Sequence, residues 1–476
     1  MGARDVIERI DGALGDGLER LVVAHHRRRL GRLRQLAALD ASPGGWASGD
    51  PPPRSGNDLD VFVDGSEALP RIAEAISAAR ERVWIAGWHF TPEFHVGDTP
   101  LRELLAEAAE RVDVKVLAWA GAPLPLFHPD RKEVREMREQ LVAGTRIECV
   151  LDSRERPMHC HHEKLVIVDG RIAFVGGIDL TTLGGDRLDT PAHPARGSVG
   201  WHDAAARLEG PAVADVAEHF ALRWGEVTRE KLEGSPADEA GGVELQVVRT
   251  VPNSVYDRLP RGDFRIIESY LRAVRSAERL VYLESQFLWS YEFVSVLEEK
   301  LRNPPSDDFR VVVVLPAHPN NGQEDTRGQL GVLAEADGGD DRFLACTLWQ
   351  PGADARPVYV HAKIGIVDDR WLTLCSANLN EHSFFNDTEM NVVTHDPEIA
   401  RAVRLRLWAE HLGCDPAELE GDPARIVDER WRPLAQEQLD RRRRGEPTTH
   451  RLLLLPHVSR RSKGVLGPVN GFFVDG

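Results

Sequence analysis

Two short stretches of this 476-residue chain carry a histidine, a lysine and an aspartate at one spacing, H-x-K-x4-D. The first supplies His162, Lys164 and Asp169, and the second supplies His361, Lys363 and Asp368. Setting His162 on His361 gives an offset of 199 residues (361 − 162), and at that offset Gly177 meets Ser376 and Asp179 meets Asn378. On an extended strand, residues i and i+2 project to one face, so each H-x-K presents an imidazole and an ammonium together. Two such units facing each other flank one point with two imidazoles and two cations. That set suits phosphodiester cleavage by double displacement. A neutral histidine attacks phosphorus to form a phosphohistidine, while a protonated one gives its proton to the leaving alcohol and then activates water or a second alcohol. The lysines, helped by Ser376 and Asn378, neutralise the non-bridging oxygens, so this chemistry calls for no metal or other cofactor. Nearby carboxylates can supply the opposite protonation states that the two histidines need near neutral pH.

A single H-x-K is weak evidence, because a strand histidine is ordinarily a satisfied, partly buried residue. Two copies matched at five positions, each followed by an apolar stretch, form an internal repeat. The run His159-Cys160-His161-His162 invites a metal reading. Consecutive strand residues alternate faces and cannot converge on one ion, so zinc is not expected there.

Positioning these groups requires strands and turns. The apolar runs Leu165–Val168 and Ile364–Val367 read as strands anchored in a core. Turns at Asp169-Gly170 and Asp368-Asp369 send the next strand back, bringing Gly177, Ser376 and Asn378 towards the same spot. Upstream, 60–63, 83–90 and 114–119 read as strands, with helical spacing over 68–82 and 101–111. The order recurs later, with helices over 264–277 and 291–301 and strands over 280–288 and 310–315. This alternation predicts an α/β fold with a largely parallel sheet, built as two related halves. The expected divisions are a helical segment and linker over 1–48, a first half over 49–235, a second over 236–415, and a C-terminal tail over 416–476. The stretch 41–58 is rich in Pro, Gly and Ser, as linkers are.

Composition narrows the function classes. Acidic residues number 76 against 59 basic, a net charge of −17, which is poor for gripping nucleic acid non-specifically. Five scattered cysteines are not a disulfide framework. No apolar run reaches the roughly 18–20 residues of a membrane span, and the N-terminal sequence lacks the apolar core of a signal peptide. The expected address is the cytoplasm, with any membrane contact peripheral. The basic stretches 25–34 and 441–444 are candidates for that contact, but each reads first as a solvated face.

The motif pair resembles the signature of the phospholipase D superfamily, and the resemblance extends over roughly residues 54–415. Gly56-Asn57 with Val63-Asp64-Gly65 is similar to the family's opening strand and turn. Trp201-His202-Asp203, leading through Gly210-Pro211-Ala212-Val213 to Phe220 and Arg223-Trp224, resembles the segment after the first motif. Tyr282, Glu284, Gln286 and Phe287 resemble the YIENQ-type strand, and Ser376, Asn378, Asn380 and Glu389 the close of the second motif. The resemblance implies two α/β/α sandwich halves related by a pseudo-twofold axis, with one active site at their interface. It implies His162 as nucleophile, His361 as general acid, and Asp203 and Glu389 as the carboxylates that orient them. In the family Asp169 and Asp368 are more structural than chemical.

Two departures stand out. Gly177 and Asp179 make the first copy's support unlike Ser376 and Asn378. His382 stands where the family often has an arginine before the serine. The segment 183–200 reads as an insertion or a loop over the site. The substrate class implied is phospholipid, with water or an alcohol as acceptor. A cardiolipin synthase-type transferase, a metal-independent nuclease and a non-catalytic lipid-binding protein are the alternatives. The four intact motif histidines and lysines argue against the last.

Overall fold

The computed structural model describes residues 3–455, apart from 125–126, 186, 188, 194–199, 235–236, 321–322 and 353–354. Seven strands of the first half lie in one sheet: β1 (Arg54–Val63), β2 (Arg82–Gly87), β3 (Asp113–Trp119), β4 (Glu148–Asp152), β5 (Leu165–Val168), β6 (Ile172–Gly176) and β7 (Ala204–Glu209). The second half contributes β8 (Val243–Val251), β9 (Leu280–Glu284), β10 (Arg310–Val314), β11 (Phe343–Leu348), β12 (Ile364–Val367), β13 (Trp371–Cys375) and β14 (Glu389–Thr394). A last strand, β15 (Leu452–Leu454), closes one edge.

The sheet is continuous across both halves, and β1 pairs with β8 at its centre, Asn57 opposite Val243. Outwards from β1 the order is β7, β6, β5, β2, β3, β4. Outwards from β8 it is β14, β13, β12, β9, β10, β11. Each strand of one half thus has a counterpart at the same place in the other, and the repeat in sequence is a repeat in topology.

The sheet is mixed rather than largely parallel. Only β2–β3–β4 and β9–β10–β11 run parallel. The reason lies in the motif itself: the tight turns after β5 and β12 make each motif strand half of a hairpin, and hairpin partners are antiparallel. Asp169 and Asp368 take left-handed backbone conformations in those turns, with φ of 54° and 53°.

Helices cover both faces, and alternation along each strand decides which face a residue serves. Trp84, Ala86, Leu165 and Ile167 face one way, with Tyr282, Ile364 and Ile366 of the second half. They pack under helices Ala212–Thr228 and Pro397–Leu412. Val83, Ile85, Val166 and Val168 face the other way, under helices Gly65–Ser77, Leu101–Ala109 and Arg131–Val142. Helices Arg265–Ser276 and Tyr291–Arg302 cover the matching face of the second half.

The terminal segments are built into this body. The helix Ala3–Leu33 docks on the second half through His26, which lies 3.0 Å from both Glu292 and Glu381, and through Arg29, which donates to Asn253 and Asn386. Residues 432–443 form a helix, and β15 buries Leu452 and Leu453 against β11. In the run 441–444, Arg442 lies over the Trp349 ring at 3.5 Å while Arg443 and Arg444 pair with Asp440 and Glu446. Residues 456–458, the end of the apolar stretch beginning at Arg451, lie outside the described residues.

Candidate active site

Each H-x-K lies immediately before its strand, so β5 and β12 carry the two motifs to the same end of the sheet. There each motif is stitched to the opposite half by backbone hydrogen bonds. The His162 amide donates to the Thr388 carbonyl at 2.9 Å, and the His361 amide to the His202 carbonyl at 2.8 Å. Trp201–His202 and Tyr359–Val360 form a short parallel pair beside the second junction.

The side chains follow the same crossing. His162 Nδ1 lies 2.9 Å from Glu389 Oε1, and His361 Nδ1 lies 2.7 Å from Asp203 Oδ2. A histidine of each half is therefore oriented by a carboxylate of the other, which leaves Nε2 as the remaining ring nitrogen. Both rings line one cleft of about 270 Å³, shared with Trp88, Trp201, Arg187 and Tyr359. The two histidines and the two carboxylates that serve them are buried.

The two carboxylates are held differently. Glu389 accepts from Ser376 Oγ and, at 2.6 Å, from Ser383 Oγ as well as pairing with His162. Burial pushes its carboxyl up, but attraction to His162 and these hydrogen bonds outweigh burial and hold it below the ordinary glutamate range. Asp203 accepts from the Ala204 amide at 2.8 Å, and burial pushes its carboxyl up to about 6. Burial, together with Lys363, Arg187 and Lys164, keeps the His361 ring well below its usual range and so neutral.

The ammonium groups are fixed by their own motifs. Lys164 Nζ donates to the His162 carbonyl at 2.7 Å and lies 3.4 Å from Asp179 Oδ2, and Lys363 Nζ donates to the His361 carbonyl. Burial, with Lys164 close by, lowers Lys363 to about 8 despite Asp203, Asp179 and Glu389. Asn378 Nδ2 reaches Gln286 Oε1 at 3.4 Å, and its amide donates to Ser383 Oγ.

Not every candidate sits here. The Asp169 carboxylate accepts from the amides of Arg80, Glu81 and Arg82 at 2.8–3.2 Å, and Asp368 from those of Glu278, Arg279 and Leu280 at 2.7–2.8 Å. They pin the turns leading into β2 and β9, at the far end of the motif strands from the histidines. His382 is buried against His159, at 2.9 Å, rather than in the cleft. The histidine run before the first motif fans out: His159 to His382, His161 to Asp152 at 3.2 Å, and His162 to Glu389.

Arg187 is a site residue that motif reasoning missed. It lines the cleft, lies 3.9 Å from Asp179, and stacks over the Trp201 ring at 3.9 Å. Trp201 in turn packs on His361, with ring centroids 4.2 Å apart. Leu183 and Gly184 line the same cleft, so the described part of 183–200 borders the site. An arginine in that Gly-, Pro- and Asp-rich segment was the available signal, though Arg196 shares it.

The chain resembles known proteins over most of its length. It is 24% identical over 470 residues to phospholipase D A of Dictyostelium discoideum, covering 77% of this chain and 36% of that protein. It is 25% identical over 360 residues to the major cardiolipin synthase ClsA of Bacillus subtilis, covering 72% of this chain and 67% of that one. The chain thus spans between about a third and two thirds of the length of these relatives. The crystal structure of phosphatidylserine synthase from Haemophilus influenzae shares the fold, with a TM-score of 0.54 at 15% identity, covering 87% of this chain and 97% of that one. The family model described as cardiolipin synthase, PLD-like domain, matches residues 72–187 and 271–409. That is more than half of the sequence and takes in both motifs, and the chain belongs to the phospholipase D superfamily.

Proposed function

We propose that this protein cleaves or exchanges phospholipid head groups through a phosphohistidine intermediate. The observation that carries the reading is the crossed pairing of His162 with Glu389 and of His361 with Asp203 around one cleft. His162 is the nucleophile in this proposal. A phosphoimidazolium bears positive charge, and Glu389, held ionised against burial chiefly by His162, Lys164 and Ser376, stabilises it through Nδ1. His361 is the general acid. It is neutral in the free protein because it is buried and has Lys363, Arg187 and Lys164 nearby. A phosphodiester anion bound among those cations offsets their charge and lets the ring take up the proton it then donates. In the second step His361 removes a proton from the acceptor, water or an alcohol, which attacks phosphorus and frees His162.

Phospholipid is favoured over nucleic acid by the acidic net charge of −17 and by the cleft's rim. Among the described residues only Leu21, Leu124 and Leu183 are large apolar side chains left exposed. Leu183 lines the cleft, while Leu124 belongs to the loop that brings His128 to it. Exposed apolar side chains at and near the mouth of a polar phosphate site fit a substrate drawn from a lipid surface, with peripheral contact. No described helix is long and apolar enough to cross a membrane.

The test is mass spectrometry of products from mixed phospholipid vesicles and a primary alcohol, with His162→Ala alongside. Phosphatidic acid and phosphatidyl-alcohol, absent with the variant, are expected. Cardiolipin formed from phosphatidylglycerol would assign the transferase reaction instead, which the cardiolipin synthase family model also favours. No lipid product from either would overturn the reading.

A further inference from the structure

Behind the Asp203 side of the cleft, four side chains from distant parts of the chain converge in the interior: Asp64 after β1, His193 in the segment after the first motif, His202, and Glu410 of helix Pro397–Leu412. One ligand atom from each lies within 4.8 Å of the others. His193 Nε2 is 3.2 Å from Glu410 Oε1 and 3.6 Å from Asp64 Oδ2. His202 Nδ1 is 3.3 Å from Asp64 Oδ1 and 3.5 Å from Glu410 Oε1. We propose that this cluster is a closed metal site holding one divalent transition-metal ion, with zinc the best fit.

Three observations carry the assignment. The first is spacing. Ligands about 2.0–2.1 Å from a tetrahedral zinc ion lie about 3.3 Å from one another, and the three separations that involve Glu410 Oε1, Asp64 Oδ2 and the two imidazole nitrogens, 3.2, 3.5 and 3.6 Å, lie near that value, while Asp64 Oδ1 accepts from the Asp203 amide. The second is satisfaction. His202 Nδ1 and Asp64 Oδ2 are fully buried and face this cluster, where they have only long ion-pair contacts, of 3.3 and 3.6 Å, and no well-formed hydrogen bond. Buried polar atoms seldom stay unpartnered, and an ion between them would satisfy both. The third is the outer shell. His202 Nε2 lies 2.8 Å from Glu284 Oε2, and His193 Nδ1 lies 3.2 Å from Asp189 Oδ2. Each imidazole is thus turned by a carboxylate on its far nitrogen, the arrangement that orients metal-binding histidines. Charge agrees. Asp64, Asp189 and Glu284 are buried and Glu410 is half-buried beside them, and a dication with Arg451, 3.3 Å from Glu410, would offset much of their charge.

Two imidazoles and two carboxylates complete a tetrahedron and leave no open position, so the role is structural. The ion would fasten His193 and helix Pro397–Leu412 to His202. That residue's carbonyl accepts the His361 amide, and its neighbour Asp203 holds the His361 ring. The inference does not depend on which phosphodiester the enzyme takes.

The experiment is metal analysis of the full chain, purified without chelator, saturated with zinc and dialysed, followed by X-ray absorption at the zinc edge. About one zinc per chain is expected, with only nitrogen and oxygen neighbours at about 2.0 Å. His193→Ala and Glu410→Gln should each lower retained zinc at least fivefold. Folded wild-type protein that retains less than a tenth of an equivalent would overturn the proposal. So would a sulfur shell in the spectrum, which places the ion on cysteine, or variants that fold and keep their zinc. Should the variants fail to fold, the wild-type stoichiometry and spectrum alone decide.

Discussion

Gly177 lies against Asp203 so closely that a Cβ at position 177 would stand 2.1 Å from Asp203 Oδ1. At the matching position of the second half, Ser376 carries a hydroxyl that donates to Glu389. The two halves therefore support their carboxylates by opposite means. One removes a side chain so that the carboxylate can enter, and the other provides a side chain to hold it.

Gly177→Ala must push Asp203 away from His361. A displacement of about 1 Å at a catalytic group costs on the order of 10²-fold in rate. We expect kcat to fall by about that factor, with substrate binding little changed. Ser376→Ala has room for its side chain and removes one of Glu389's donors, so it should cost less. Steady-state kinetics of both variants check the order. A Gly177→Ala enzyme with wild-type kcat would contradict the crossed support.

Lys363 sets the alkaline limit. Its ammonium is buried and lowered to about 8, so the charge that meets the phosphate is lost as pH rises through that value. The kcat/KM profile should fall above about pH 8. Stability should move the other way. A lysine that releases its proton more readily when folded makes its contribution to stability rise between about 8 and 10.5. Lys363→Arg keeps its charge and should carry the limb upward in whatever activity remains. A limb left at the wild-type pH in that variant would assign it to another group.

The exposed rim predicts a split between substrates. Leu124 and Leu183 are 50% and 39% exposed, and neither touches the reacting groups by the proposed mechanism. Leu183→Asp and Leu124→Asp should lower turnover of vesicle phospholipid by about tenfold, the effect of losing roughly 1.4 kcal/mol of interfacial binding. Turnover of a short-chain phospholipid below its micellar concentration should change little. Equal losses on both substrates would place these leucines inside the site rather than at a membrane.

Much of this could be read before folding. The motif pair was legible because its spacing repeats, and the hairpin turns because Asp169-Gly170 and Asp368-Asp369 punctuate apolar runs. The parallel sheet was a misreading of that same hairpin: strand–helix alternation dominates the outer strands, and the returning motif strands make the inner ones antiparallel. Pairing across the halves was visible only through resemblance, since nothing local joins His162 to Glu389, 227 positions away. Arg187 was hidden for a related reason. Arg187 and Arg196 in a Gly-, Pro- and Asp-rich segment carry no period, and the value of Arg187 appears only once Trp201 and Asp179 are beside it. The segment past 416 lacked strong alternation, yet Leu452–Leu454 found an open sheet edge at β11.

A last prediction concerns what holds His162 from behind. Its neighbours His161 and Glu163 face a buried network centred on Arg223. That guanidinium donates to Asp152 at 2.9 Å and to Tyr256 at 2.9 Å, and it pairs with Glu163, which His219 also meets at 2.7 Å. Burial pushes the Glu163 carboxyl up, but Arg223 and His219 outweigh it and bring it down to about 2. Removing Arg223 leaves two buried carboxylates without their main partner. We expect Arg223→Ala to cost about 3–5 kcal/mol in denaturant unfolding, beyond any effect on catalysis. The acid dependence should change with it. A carboxyl lowered in the folded state contributes stability at neutral pH that is lost as pH falls from about 4.5 towards 2. In Arg223→Ala that acid-sensitive component should shrink, because the carboxyls no longer sit far below their unfolded values. An unchanged slope of stability against pH between 5 and 3 would show that the network is not the source of acid lability.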